Sequence, residues 1–153
     1  MRQYFRIAVV ALVAFATGFF VAHTTTTARA AAPALAPAAI DLTAMTPDSM
    51  PAPSAATPNL HSKTLVVADG ATVAFQIGTV AKHYHADANE VQVVIAGTGT
   101  EWLGDQQITL KPGMMLVIPT NTNHAGTVAT SGQLEILSIK TPPQAPSDIH
   151  FVP

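Results

Sequence analysis

Residues 83–97 read HYHADANEVQVVIAG, and this stretch decides how the rest of the chain is interpreted. Its second half, from Glu90 to Ala96, has the composition of a β-strand and ends at Gly97. Because side chains alternate between the faces of a strand, one face here is wholly apolar and the other carries Glu90 and Gln92. A mixed face suits the interior of a barrel, so we expect Gln92 to contact substrate or orient a ligand, with polar packing as the alternative.

Outward from this stretch, short β-rich runs alternate with turn residues. None of the runs after residue 60 shows the 3.6-residue apolar stripe of a helix. The predicted strands are 64–68, 72–80, 90–96, 100–103, 106–110, 114–118, 123–129 and 134–140. Gly104-Asp105, between two of them, is a two-residue hairpin signal. Many short strands at regular spacing predict an all-β sandwich or small barrel.

Three histidines and one glutamate suggest a metal site. His83 and His85 lie two residues apart, so in an extended segment both imidazoles project to the same side. Glu90 follows after a short turn, and His124 comes later, after the loop-like stretch 119–123. Three imidazoles and a carboxylate suit Fe²⁺, Mn²⁺, Ni²⁺, Cu²⁺ or Zn²⁺ and do not suit Ca²⁺. The chain has no cysteine, which excludes thiolate ligands and disulfides.

The first motif of the cupin family resembles this stretch closely. That motif has glycine, five residues, H-x-H, three or four residues, glutamate, six residues and glycine. His83, His85, Glu90 and Gly97 match it in identity and spacing. The opening glycine does not, because Gly78 lies one residue too close to the first histidine.

The second cupin motif is similar to the stretch that begins at Gly113. It has glycine, five residues, P-x-G, two residues, histidine, three residues and asparagine, and Pro119 and His124 match it in spacing. Asn121 replaces the second glycine and Val128 replaces the closing asparagine. Asparagine tolerates a positive φ better than most residues, so we expect the turn at Asn121 to survive.

The resemblance covers about residues 60–141 and implies a single β-barrel of the jelly-roll type, with a metal inside one mouth. The implied ligands are His83, His85, Glu90 and His124, and Glu90 is also the candidate catalytic group. The implied function is that of a metal-dependent, dioxygenase-like enzyme acting on a small oxygen-bearing substrate, with isomerase or lyase chemistry as a variant. The alternative is a non-catalytic module that binds a metal or small molecule.

Other candidate residues carry less weight. His61 and His150 lie outside the motifs and are predicted to be surface residues. Glu101 is expected to be an exposed hairpin residue, with a general base as the alternative. Tyr84 and Trp102 are predicted to pack rather than to bind substrate.

The two ends of the chain differ from its middle. Residues 1–30 combine a basic start, an apolar run of 16 residues at 7–22 and the small-residue site Ala28-Arg29-Ala30. This pattern predicts a signal peptide, with an N-terminal anchor as the alternative. The protein would then be exported, periplasmic or secreted, and would meet a membrane only if this segment stays uncleaved. Residues 31–59 are predicted to be a disordered linker rich in Ala and Pro, and 143–153 a Pro-rich tail after the 60–142 barrel.

Charge and patterning also restrict the partners. Beyond residue 30 the chain has four basic against nine acidic residues, a net charge of −5. Four lysines cannot form a basic stripe along a phosphate backbone, so nucleic-acid binding is disfavoured. The apolar outer face of strand 90–96 needs a cover, for which a second subunit is one source, so a homodimer is expected.

Overall fold

The computed structural model describes residues 35–68 and 70–153. Within these ranges the chain forms a 3-10 helix at Pro47–Ser49 and eight strands. The strands are β1 (Leu60–Ala68), β2 (Ala71–Gly78), β3 (His83–Tyr84), β4 (Asn89–Leu103), β5 (Gln106–Leu110), β6 (Met115–Ile118), β7 (His124–Thr141) and β8 (His150–Phe151). The prediction of an all-β chain is confirmed. The segment predicted to be a signal peptide lies outside the described residues, and within them no helix has the length and hydropathy to cross a membrane.

Two long strands organise the sheet. It runs in the order β1-β2-β7-β3-β8, and β4 pairs with β5, β6 and β7. β4 has 15 residues and β7 has 18, so each contributes to both halves of a curled, barrel-like sheet. The sequence pattern predicts two separate strands in each of them, divided at Gly97 in β4 and at residues 130–133, which include Gly132, in β7. Both glycines do have positive φ values, of 77° and 69°, but they bend the strands without ending them.

The hairpin between β4 and β5 forms as predicted. Leu103 pairs with Gln106, which leaves Gly104-Asp105 as the two-residue turn. Gly104 has a φ of 62°, in the left-handed region that such tight hairpins require.

Inward-facing side chains cross β2, β7 and β4 in rows set by the strand register. The three rows are Thr72–Lys140–Glu90, Ala74–Ser138–Gln92 and Gln76–Ile136–Val94. The first two rows form a polar end of the interior. The third leads into an apolar core of Val94, Leu110, Leu116, Ile118 and Leu134. The interior therefore has a polar half and an apolar half, and the predicted alternation of Glu90, Gln92 and Val94 on one inward face is confirmed.

The outer face of β2 is covered by the segment that precedes the barrel. Met50 is buried with Phe75 and Ile77, and Leu42 and Met45 pack against the same cluster. This differs from the disordered linker expected for residues 31–59. The physical reason is that the large apolar residues scattered among the alanines and prolines have an apolar sheet face to bury. We call residues 42–50 the N-terminal cover.

The C-terminal segment also extends the barrel beyond its predicted limit at residue 142. β8 pairs with β3, with His83 opposite Phe151. The amide of Val152 donates to the carbonyl of Lys82 at 3.0 Å, and Asp148 is buried. Pro143 and Pro146 precede β8 and Pro153 follows it, so none of them interrupts its pairing. We call residues 144–152 the C-terminal clasp.

Candidate metal centre

The fold brings the four predicted ligands together from three places in the chain. His83 begins β3 and is directly opposite His124, the first residue of β7. His85 follows β3 by one residue, and Glu90 is the second residue of β4. All four side chains are buried.

The three histidines are oriented in the same way by backbone carbonyls. In each ring, Nδ1 donates a hydrogen bond to a carbonyl oxygen. The pairs are His83 with Ala81 (2.8 Å), His124 with Thr122 (2.9 Å) and His85 with Asp148. Because a carbonyl can only accept, Nδ1 carries the proton in each ring, and in the neutral ring Nε2 keeps a free lone pair. This is the tautomer in which Nε2 can bind a metal.

The free ring nitrogens converge with one carboxylate oxygen. One ligand atom from each of the three histidines lies within 4.8 Å of the others. Glu90 Oε2 is 3.2 Å from Nε2 of His85 and 3.2 Å from Nε2 of His124. His124 Nε2 is buried and has no aligned hydrogen-bond partner within residues 35–68 and 70–153. Lone pairs therefore face one another across the site, an arrangement that a cation between them would stabilise.

Glu90 divides its two oxygens between two tasks. Oε1 accepts a hydrogen bond from Ser138 Oγ at 2.6 Å and from Gln92 Nε2 at 3.3 Å, and lies 3.6 Å from Lys140 Nζ. Oε2 is left for the histidines. Burial opposes ionisation of Glu90, but the charge of Lys140 is the largest influence in the other direction, and the pKa of Glu90 stays well below its usual value.

The protonation states match those that a transition metal requires. Burial, reinforced by the nearby His124, lowers the pKa of His83 to about 4, so this ring is neutral at pH 7. Glu90 is ionised at the same pH. Metal binding needs neutral imidazoles and a charged carboxylate, so the donor set fits a divalent transition metal. His83, His85, His124 and Glu90 would hold it.

A family model of the cupin domain matches residues 61–140 of this sequence. The chain belongs to the cupin family. The match spans both motifs and every predicted ligand, so the resemblance drawn from the sequence is confirmed. Among curated proteins, no sequence matches this cupin.

Solved structures share its fold at low sequence identity. A protein from Planctomyces limnophilus is 23% identical, with a TM-score of 0.58, over 76% of this chain and 97% of its own. KdgF from Halomonas sp. is 19% identical, with a TM-score of 0.52, over 57% of this chain and 82% of its own. The nucleoside dehydratase Pac13, from Streptomyces, is 16% identical, with a TM-score of 0.52, over 61% of this chain and 78% of its own. These likenesses show the cupin fold alone.

The turn that presents His124 in this cupin forms as predicted. Asn121 has a φ of 61°, so asparagine does replace glycine at a left-handed position. Its amide donates to the carbonyl of His85 at 2.7 Å, which ties the second motif to the first.

The prediction that Glu101 is an exposed hairpin residue is wrong. Only 1% of this residue is exposed, and neither carboxyl oxygen has a hydrogen-bond partner among the described residues. The cause is a run of register shifts between Val94 and Trp102, which reverses the alternation so that Gly99 and Glu101 face inward. Burial and then the charge of Glu90 raise the pKa of Glu101 to about 8. The carboxyl is therefore neutral at pH 7 and is not a general base there.

The remaining aromatic and histidine candidates lie outside the cluster of metal ligands. Tyr84 stacks on His150, with ring centroids 4.8 Å apart, and His150 remains 41% exposed. Lys82 Nζ lies over the ring of Trp102, 4.4 Å from the ring centroid. His61 forms no hydrogen bond with a metal ligand. Its ring Nδ1 lies 3.1 Å from the carbonyl oxygen of Pro51.

Three residues that support the site were not singled out from the sequence. Lys140 and Ser138 contact Glu90 only because β7 lies beside β4, and a register between distant strands leaves no local sequence signal. Alternation along 134–140 does place them on one face, and this is the signal that was present. Asp148 lies in the Pro-rich tail, where no motif marked it.

Proposed function

We propose that this cupin is a metal-dependent enzyme that acts on a small oxygen-bearing substrate. The observation that carries the proposal is the convergence of three imidazole nitrogens and a carboxylate oxygen at the wall of a cavity of about 320 Å³. His83, His85 and Glu90 line this cavity directly. A bound divalent ion would polarise a substrate oxygen placed in the cavity.

The residues around the ion have distinct roles in this proposal. Glu90 binds the metal and balances its charge. Its lowered pKa makes it a weak base, so the catalytic role that the cupin resemblance implies for it is the less favoured of its two roles. Gln92 donates from Nε2 to Glu90 Oε1, while its own Oε1 has no hydrogen-bond partner in the part of the chain that the structure describes and can accept from a substrate hydroxyl.

The reaction class follows from the ion, and two classes remain in the proposal. Iron or copper on an imidazole-rich site supports dioxygenase-type oxidation, and manganese, nickel or zinc supports isomerase or lyase chemistry. The test is turnover of a panel of diketones, catechols, flavonols and hydroxy acids by protein loaded with Fe²⁺ or Zn²⁺. Oxygen uptake and product mass would both be measured.

The expected result is turnover of at least one substrate by wild type and its loss in His124→Ala. The matched control is His61→Ala, which removes an imidazole outside the cluster. If no compound is turned over by metal-loaded protein, and native mass spectrometry finds an unchanged small molecule bound, the alternative of a non-catalytic binding module replaces the enzyme.

Export and dimerisation are further parts of the proposal. Export rests on residues 1–30, and immunoblotting of fractionated cells would show a shortened, soluble form if the segment is cleaved. Dimerisation rests on the outer side of β4 and β6, where Met115 and Val117 are 64% and 60% exposed. Light scattering should give twice the subunit mass for wild type and a lower mass for Val117→Lys.

A further inference from the structure

The cavity beside the metal centre is small and lies against its polar rows. Its volume of about 320 Å³ is near the lower limit for ligand sites in proteins. It extends from His83, His85 and Glu90 over the inward side of β1 and β2. Residues from the segments on either side of the main strands complete its wall. Ser54 precedes β1, and Gln144 belongs to the C-terminal clasp.

Most of the residues that line this wall have a side chain with a hydrogen-bonding group. Six residues contribute hydroxyls: Ser54, Thr57, Ser62, Thr64, Thr72 and Ser138. Three contribute amides: Gln76, Gln92 and Gln144. A site rich in short hydroxyls and amides matches a ligand that carries several hydroxyl groups along a short chain, because each can be paired on burial.

No phenyl, phenol or indole ring among the described residues lines the cavity. Phe75 packs outside the sheet against the N-terminal cover, and Tyr84 stacks on His150. Trp102 lies beneath Lys82, and Phe151 lies beside the His83 ring at the clasp. A flat aromatic substrate such as a flavonol would therefore find no stacking partner of this kind.

The charge of the cavity favours an anion. Among the described residues that line it, Lys140 is the one lysine or arginine and Glu90 is the one carboxylate. These two charges offset each other across 3.6 Å, so a bound divalent ion leaves the site with a surplus of positive charge. The body of the protein is acidic, and the surplus is therefore local to the site.

We propose that the site takes a small aliphatic hydroxycarboxylate, a sugar-acid-like chain without an aromatic ring. Its carboxylate would lie against the metal and Lys140, and its hydroxyls against Thr72 and Gln76, which share the inward face of β2. This inference rests on the proposed metal site and names the substrate class for it. The inward rows support it, because Thr72 is directly opposite Lys140 in the strand register.

The test is calorimetric binding to protein loaded with one equivalent of Zn²⁺, without excess metal. Four probes separate the contribution of a carboxylate from that of hydroxyl groups. Gluconate has a carboxylate and hydroxyls, hexanoate has a carboxylate without hydroxyls, and sorbitol has hydroxyls without a carboxylate. Benzoate tests an aromatic ring. We expect gluconate to bind at least about tenfold more tightly than each of the others, since charge and hydroxyl contacts add.

Variants show whether the wall itself recognises the ligand. Thr72→Val with Gln76→Leu should weaken gluconate binding by about 25-fold and leave hexanoate unchanged, because each of the two lost hydrogen bonds contributes about a factor of five. Thr109→Val, on the exposed side of β5, is the control and should change nothing. Lys140→Met should weaken gluconate and hexanoate together but not sorbitol.

Zinc content of each protein is measured in the same samples, so the two proposals fail separately. Absence of zinc binding in wild type would overturn the metal site. Two results would overturn the substrate class while leaving the metal site intact. One is zinc-loaded protein that binds benzoate as tightly as gluconate. The other is gluconate binding that the Thr72 and Gln76 changes leave unaffected.

Discussion

The backbone carbonyl of Asp148 accepts a hydrogen bond from Nδ1 of His85, a residue 63 positions earlier in the sequence. The carboxylate of the same residue accepts hydrogen bonds from the amides of Ala86 at 2.6 Å and Ala88 at 3.1 Å. One residue of the C-terminal clasp thus holds both the His85 ring and the turn that leads from His85 to Glu90. Contacts of this kind orient metal ligands and tune metal affinity.

Replacing Asp148 with alanine should weaken metal binding. The change leaves the backbone amides of residues 86–88, of which that of Ala88 is buried, without their acceptor, so the free energy of unfolding should fall by about 3 kcal/mol. With the turn released, affinity for Zn²⁺ should fall by about 10- to 100-fold. Chelator competition and thermal unfolding measure the two effects. Asp87→Ala is the control, since Asp87 is exposed, and wild-type zinc affinity in a folded D148A protein would contradict the role of the clasp.

Replacing Glu101 with glutamine should change how stability depends on pH. The folded-state pKa is about 8, above the ordinary value of 4.5, so the folded protein holds this proton more tightly than the unfolded chain. The free energy of unfolding of metal-free wild type should therefore fall as pH rises from about 4.5 to 8, by up to about 1.4 kcal/mol per pH unit.

The E101Q variant lacks this titration and should lose less stability over the same range. Urea unfolding at pH 5.5, 6.5 and 7.5 measures the difference, and Glu135→Gln is the control on β7. If E101Q and wild type lose stability in parallel as the pH rises, the buried carboxyl is not the titrating group.

Replacing Gly97 with alanine should disrupt the bend between the halves of β4. A Cβ at this position would lie 2.2 Å from the carbonyl oxygen of Gln133, which is backbone of β7 and cannot move aside. Gly104→Ala is matched, because Gly104 also has a positive φ but its Cβ would meet nothing within 4 Å. We expect G97A to lose at least about 3 kcal/mol more than G104A in chemical unfolding, and equal losses would contradict the close approach.

Replacing Met50 with alanine should destabilise the barrel although it lies before β1. Met50 is buried against Phe75 and Ile77, and truncating a buried methionine costs about 2 kcal/mol or more. Leu35→Ala is the control, since Leu35 is 63% exposed. A loss for M50A no greater than that for L35A would show that the N-terminal cover contributes nothing to stability.

The metal ligands could be predicted from the sequence because short motifs encode local geometry. His83, His85 and Glu90 lie within eight residues, and the Asn121 turn carries its own backbone preference. Gln92 followed from simple alternation. Glu101 could not be placed in the same way, because register shifts inside β4 reverse the alternation and depend on the pairing with β7. The contact of Asp148 with His85 is set by tertiary structure alone.

Elemental analysis of the protein, purified without chelator or added metal, shows whether the metal centre holds an ion. His124→Ala removes the ligand whose Nε2 has no other partner, and His61→Ala removes an imidazole outside the cluster. We expect about one transition-metal ion per chain in wild type and H61A, and loss of that ion in H124A. A folded wild type that holds no metal, even after incubation with Fe²⁺ or Zn²⁺, or an H124A variant that keeps its ion, would contradict the metal centre.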